Sequence, residues 1–331
     1  MKLSEYRLLL HIGLHKTATS SFQKNVLYAL HVEGIINFLG GVRGEDSTFF
    51  YPFREVVDID ELAYGMKIER VSEIQNLLRG RLSSNKINVL SEELFTSSIH
   101  YNLEIIFSNL SRIFAFCDTK ILVSLRSPVD MIFSRYVEHY PYIFYGDSDK
   151  DSFDKFANHL IENLEERGYL EFNYEKLLDK IDSFFSEKYV LLYEDLKLDK
   201  ELYFKILSSL LARDADDIQR RFLSNVSNET KKTRIGASAS VTPSQRILSK
   251  LKIYNMPLVR RNWLLRLVWR RVSRVLDYFR SEVFIEHVKP SKELASRLQA
   301  AVGVEDVETF SKRHNVNKNK LLCYRYAKKS S

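Results

Sequence analysis

The chain has 331 residues, of which 45% are hydrophobic and 28% charged, with six Pro and eleven Gly. That balance excludes a disordered, collagen-like or linker-rich chain, and the length suits about two folding units. Two cysteines, Cys117 and Cys323, exclude a disulfide framework or a Cys-based zinc site, and point to a reducing compartment. The formal charge of +7 is local rather than general. Between Arg246 and Arg280 lie ten Lys or Arg and one acid, Asp277, so this stretch holds +9 and the rest of the chain sums to −2. Basicity confined to one segment, with no recognised module, argues against a nucleic-acid partner.

In chain order, the opening MKLSEYRLLLHIGLHK lacks the long apolar core of a signal peptide. No run of about 20 apolar residues follows anywhere. The sequence therefore predicts a soluble protein made in the cytoplasm. Short, nearly continuous apolar runs at Tyr6–Ile12, Ile35–Leu39, Lys86–Leu90, Lys120–Leu125 and Tyr189–Tyr193 predict strands buried on both faces. Helical patterns at Ser20–Leu30, Val71–Leu82 and Asp130–Tyr140 alternate with them, which predicts an α/β fold with a central parallel sheet. The polar stretch from Ser224 to Ser244 reads as a long loop, dividing a core (1–235) from a basic, helical C-terminal extension (236–331).

In that extension, residues 258–279 have an amphipathic helical pattern. Leu265, Val268, Val272, Val275, Leu276 and Phe279 share one side, and Arg266, Arg270 and Arg274 the other. Three readings stay open: a helix packed on the main domain with solvated arginines, a membrane-surface helix flanked by Trp263 and Trp269, or a wall for an anionic substrate.

The strongest local signal is His11-Ile12-Gly13-Leu14-His15-Lys16-Thr17-Ala18-Thr19-Ser20-Ser21-Phe22-Gln23. A buried strand ends in a turn of small and hydroxyl residues, and a helix begins, with Phe22, Val26 and Leu30 spaced to hold it on the sheet. At such a turn the first helical N–H groups are unpaired and the helix dipole is positive. Thr17, Thr19, Ser20 and Ser21 add hydroxyls and Lys16 a full charge, so the turn suits a phosphate or sulfate. It is not a Walker A loop, because Lys16 lies three positions after Gly13 and follows His15. No strand ends in an evident magnesium-binding Asp; the run Ile121–Leu125 ends at Arg126 instead. After Arg126, Ser127 and Asp130 form a capping pattern with Pro128 at the first helical position, and Ser134 lies on the helix that follows. An arginine at a strand end and a serine on the next helix suit a second phosphate.

Together these residues resemble sulfotransferases that use 3′-phosphoadenylyl sulfate (PAPS). In the bacterial, carbohydrate-sulfotransferase-like branch the 5′-phosphosulfate loop reads H-I-G-x-x-K-T-G-T-T-S-x-Q. Lys16, Thr17, Thr19, Ser21 and Gln23 match; Ala18 replaces a Gly and Ser20 a Thr. With alanine there, the position is expected to avoid φ > 0. The segment LRSPVDMIFSRY resembles the family's 3′-phosphate motif, with Arg126 and Ser134 as its arginine and serine. VLSEEL at Val89–Leu94 and YVLLYEDL at Tyr189–Leu196 are further echoes, so the resemblance spans residues 6–200 in fragments.

The resemblance implies a three-layer, P-loop-NTPase-like α/β fold and metal-free transfer of a sulfuryl group from PAPS. The acceptor would be a hydroxyl, of a glycan or glycolipid by analogy, and the product adenosine 3′,5′-bisphosphate. Cofactor contacts fall to His15, Lys16, Thr17, Ala18, Thr19, Ser20, Ser21, Arg126 and Ser134, with Arg234 from the late basic segment 231–236. Lys16 would neutralise the leaving group. Glu92, after the strand at 86–90, is the candidate base, with Glu93 in reserve. His11 is read as structural, and Glu194 and Asp195 as ion-paired loop residues. Two other functions remain: a magnesium-dependent nucleotide kinase, and a non-catalytic peripheral membrane or adaptor protein on the same fold.

Overall fold

The five predicted strands are all present and pair into one parallel sheet. The computed structural model describes residues 4–14, 16–43, 49–98, 101–140, 144, 147–224, 237–241, 272, 283–287 and 289–327. In chain order the strands are β1 (Tyr6–His11), β2 (Asn37–Phe38), β3 (Val42–Arg43), β4 (Phe49–Phe50), β5 (Ile87–Ser91), β6 (Cys117–Leu125) and β7 (Lys188–Leu192). The sheet order is β2-β5-β1-β6-β7, while β3 and β4 form a separate antiparallel pair. The register sets Leu9 beside Val89 and Lys120, and His11 beside Ser91 and Leu122.

The chain divides into two compact units: Met1–Ser127, Glu165–Glu229 and Gly303–Lys328; and Pro128–Leu164, Thr230–Val302 and Lys329–Ser331. The sheet belongs to the first. Because β1, β5 and β6 are interior strands, alternate residues point to opposite faces and both faces need cover. On one face Leu9, Val89, Leu122 and Leu191 meet Phe22, Val26 and Leu30, together with Phe204, Leu207, Ile218 and Phe222 of the helices Lys200–Leu211 and Ala215–Leu223. On the other face Leu8, Leu10, Leu90, Ile121 and Val123 are equally buried. Helices Ile68–Arg79, Leu103–Ile113 and Tyr174–Asp182 carry the buried apolar stripes that make a second helical layer. The result is a three-layer α/β arrangement.

The helix after β1 runs over residues 19–32 and is π-helical at Phe22–Tyr28. The wider turns bring Phe22, Gln23, Asn25, Val26 and Leu27 all inside the protein. Burying an apolar side chain is worth about 2 kcal/mol, so Phe22, Val26 and Leu27 outweigh the poorer hydrogen bonding of the π turns.

The terminal segment 303–328 groups with the sheet, whereas the sequence division places it in the extension beyond 235. Polar latches account for this: Lys320 Nζ lies 2.7 Å from Asp195 Oδ1 and 2.8 Å from Asp199 Oδ2, and Tyr324 Oη donates to Asp195 at 2.9 Å.

In the second unit, helices Pro128–His139, Phe153–Glu162 and Lys292–Val302 pack on one another. Two further strands, β8 (Ala237–Val241) and β9 (Val283–His287), pair antiparallel. β8 corrects the expectation of loop throughout 224–244: the alternating Ala-Ser-Ala-Ser-Val meets a β-branched partner, and pairing overrides its weak hydrophobic contrast. The amphipathic pattern at 258–279 lies outside the described residues except at Val272. Among the described residues no helix is long and apolar enough to cross a membrane.

Candidate functional site

All strands of the sheet run the same way, so the carboxyl ends of β1, β5, β6 and β7 meet at one edge. There β1 has β5 on one side and β6 on the other, and the connections after β1 and β5 leave in opposite directions. Open α/β sheets bind ligands at such a switch point. The described segments reaching it are 12–14, 16–19, 91–93, 126–127 and 193–194.

The floor is His11. Its Nδ1 is 2.8 Å from Ser91 Oγ on β5 and its Nε2 3.3 Å from Ser124 Oγ on β6, so one ring joins three strand ends. Burial lowers its pKa to about 4 against the opposing charge of Glu93, and the ring is neutral at pH 7. The role is structural, as the sequence suggests.

Above it Ile12 N–H donates to Leu122 O and Leu14 N–H to Ser124 O, which carries the chain over β6 before it turns. A Cβ on Gly13 would sit 2.6 Å from Thr19 Oγ1 and 2.9 Å from His11 Nε2. No side chain fits there, which explains the glycine. Lys16 and Ala18 both adopt left-handed backbone, at φ 66° and 63°. The expectation that Ala18 avoids positive φ is thereby corrected: the tight turn into the helix imposes the glycine conformation on alanine, at a cost of about 1 kcal/mol. Left-handed residues with one residue between them, just before a helix start, suit a turn in which successive amides face an anion.

Thr17 and Thr19 are buried. Thr17 Oγ1 donates to Leu14 O at 2.6 Å and lies 3.3 Å from Thr19 Oγ1. The hydroxyls thus brace the loop from within, while Ser20 and Lys16 are exposed and Ser21 half-buried. The first helical hydrogen bond runs from Phe22 N–H to Ala18 O, so the amides of Thr19, Ser20 and Ser21 point off the helix end. Gln23, matched in the sequence but given no role, donates from Nε2 to Ser91 O and Ser91 Oγ.

Arg126 follows β6. Its Nη1 donates to Lys16 O at 3.2 Å and its guanidinium lies over the Tyr193 ring, 5.1 Å from the centroid. The structure thus brings Lys16, Thr17, Ala18, Thr19, Ser20, Ser21 and Arg126 to one sheet edge. Ser134 lies half-buried on the helix Pro128–His139, in the second unit. His15 and Arg234 lie outside the described residues.

Glu92 follows β5 and caps the short turn Glu93–Thr96, its Oε1 accepting from Leu94 N–H. Its Oε2 accepts from the Tyr51 hydroxyl and from Arg54 Nη2 at 2.9 Å. Glu92 is 7% exposed, and burial together with its charge pushes the Tyr51 phenol well above its ordinary pKa. Against partial burial, the carboxylate keeps Arg54 firmly protonated. Three donors therefore fix the orientation of Glu92. Glu93 is half-buried beside it.

Tyr51 and Arg54 were not singled out in the sequence. The available signal was Gly40-Gly41, both at positive φ, where a Cβ on Gly41 would sit 2.2 Å from Ser91 O. That close approach seats the chain after β2 against the end of β5. Among the described residues Glu194 has no ion-pair partner; it accepts from Ser127 N–H and the Tyr326 hydroxyl, whereas Asp195 pairs with Lys320 as expected.

No family model and no curated protein matches the chain. Among solved structures it is similar to a sulfotransferase from Alicyclobacillus acidocaldarius, at 16% identity and a TM-score of 0.39, over 80% of this chain and 98% of that one. It is also similar to mouse sulfotransferase SULT7A1 complexed with PAP, at 13% identity and a TM-score of 0.37, over 84% and 90% of the two chains. A third is sulfotransferase STF1 from Mycobacterium tuberculosis H37Rv, at 12% and 0.36, over 67% and 72%. At these values the likenesses carry no argument about activity, and the functional reading rests on the residues at the sheet edge.

Proposed function

We propose that the protein transfers a sulfuryl group from PAPS to an acceptor hydroxyl by in-line displacement. The observation that supports this best is the union of two phosphate-type features at one sheet edge. The loop after β1 turns its helix amides outward beside Lys16, and Arg126 at the end of β6 is tied to that same loop. One cationic cradle suits the 5′-phosphosulfate, and the arginine suits the 3′-phosphate that distinguishes PAPS from ATP; Ser134 is assigned to that phosphate by the sequence resemblance alone. His15, Thr17, Ala18, Thr19, Ser20, Ser21 and Arg234 complete the assigned nucleotide contacts. Thr17 and Thr19 act chiefly as braces, given their burial.

In this reaction the acceptor oxygen forms a bond to sulfur while the bond from sulfur to the 5′-phosphate oxygen breaks. The bonding pair leaves with adenosine 3′,5′-bisphosphate. Lys16 meets the charge that grows on the departing oxygen, and the amides of Thr19 to Ser21 stabilise the phosphate without reorganising. The acceptor proton goes to Glu92, which Tyr51 and Arg54 hold in place, with Glu93 the neighbouring alternative. The chemistry needs no metal. By the resemblance of the loop to the bacterial branch, the acceptor we assign is a glycan or glycolipid in the cytoplasm, with the basic segment 258–279 available for a membrane surface.

Lys16→Ala tests the assignment. Turnover with PAPS should fall by about a thousandfold while the circular dichroism spectrum is kept. Near-normal turnover in the folded variant would remove Lys16 from the mechanism.

A further inference from the structure

The peptide unit joining Arg126 to Ser127 is gripped at both ends, by the buried Tyr174 and the half-buried Glu194. Its carbonyl accepts from Tyr174 Oη at 2.7 Å, and its N–H donates to Glu194 Oε1 at 2.9 Å. Fixing the plane of that peptide fixes ψ of Arg126, and with it the direction in which the side chain leaves the strand end. Glu194 is itself held: its Oε2 accepts from Tyr326 Oη at 2.6 Å. Tyr326 is fully buried, with its ring 6.1 Å from that of Tyr174, and burial beside Glu194 pushes its phenol well above the ordinary pKa. The final segment is also latched through Lys320 and Tyr324 to Asp195, and the Tyr326 carbonyl accepts from Val304 N–H, so the Tyr326 hydroxyl is a further contact, aimed at Glu194.

We propose that the C-terminal segment, through Tyr326 and Glu194, is a positioning element for Arg126 and sets how well the site discriminates a 3′-phosphate. The inference rests on the reading of Arg126 as the 3′-phosphate ligand. Tyr326 touches no nucleotide; it acts by holding Glu194, which holds the peptide behind the arginine. Loss of its hydroxyl leaves one oxygen of the half-buried Glu194 carboxylate without its donor from the core, and Glu194 then relaxes away from Ser127 N–H. The phosphate contacts of the loop after β1 are independent of this relay, so the effect falls on one end of the nucleotide.

The test is calorimetric titration of the full chain and of Tyr326→Phe, Glu194→Gln and Tyr324→Phe with adenosine 3′,5′-bisphosphate and with adenosine 5′-monophosphate. Tyr326→Phe should weaken the bisphosphate about tenfold and the monophosphate less than about threefold, as for one charge-assisted hydrogen bond acting through a neighbour. Glu194→Gln should do the same, and it decides the matter if Tyr326→Phe does not fold. Tyr324→Phe, which alters the same segment without touching Glu194, should leave the ratio of the two affinities unchanged. An unchanged ratio in folded Tyr326→Phe or Glu194→Gln, or an equal change in Tyr324→Phe, overturns the proposal. If the unaltered protein itself shows no preference for the bisphosphate, the reading of Arg126 fails, and the inference with it.

Discussion

Replacing His11 with Gln removes a proton-binding group from beneath the loop while keeping a side chain that bonds to Ser91 and Ser124. In the folded protein burial lowers the pKa of His11 from 6.5 to about 4. The unfolded chain therefore takes up a proton near pH 6.5 that the folded chain accepts only near pH 4. Stability from this group is complete above pH 6.5 and is lost as pH falls toward 4. At about 1.4 kcal/mol per pH unit, the gap corresponds to about 3 kcal/mol, most of it spent by pH 4.5. Urea unfolding at pH 7.5 and pH 4.5, on the unaltered protein and on His11→Gln, isolates the effect. The drop between the two pH values should be about 2–3 kcal/mol smaller in the variant, whatever its own stability. His314, also lowered to about 4 by burial, contributes equally to both proteins and cancels. Equal drops would show that His11 is not the buried neutral ring on which the three strand ends meet.

Three further outcomes follow from the geometry of the same edge. Ala18→Gly, at φ 63°, should stabilise the protein by about 1 kcal/mol in urea unfolding, and a loss of stability would contradict the left-handed conformation. Gly13→Ala should weaken adenosine 3′,5′-bisphosphate by about tenfold or more in titration, because its Cβ would displace Thr19 and His11; unaltered affinity would mean that the loop packs otherwise. Glu92→Gln should lower turnover by about a hundredfold or more while leaving bisphosphate affinity within about threefold. Normal turnover in that variant would transfer the proton to Glu93 or to another group.

The sheet was legible because its strands are short apolar runs, and interior position in a parallel sheet demands that pattern. The loop was legible because Gly13, Lys16 and the hydroxyls stand together in the chain, and Arg126 because it ends a strand just before a capped helix. The left-handed backbone at Ala18 was not, since alanine signals the opposite. Contacts made across the chain left no local trace: Tyr51 and Arg54 reach Glu92 from 41 and 38 residues away, and Tyr326 reaches Glu194 from 132. A tyrosine in an unpatterned segment near the end of the chain looks like any other until the fold sets it behind Arg126. β8 escaped because alanine and serine alternate with too little contrast to mark a face.

The most direct test of the central claim is calorimetric titration of the unaltered protein with adenosine 3′,5′-bisphosphate, set against ATP with Mg²⁺. Tight binding of the bisphosphate without metal, in preference to Mg-ATP, is the predicted result. Preference for Mg-ATP would reassign the loop to phosphoryl transfer, and binding of neither by folded protein would contradict a nucleotide site at this edge altogether.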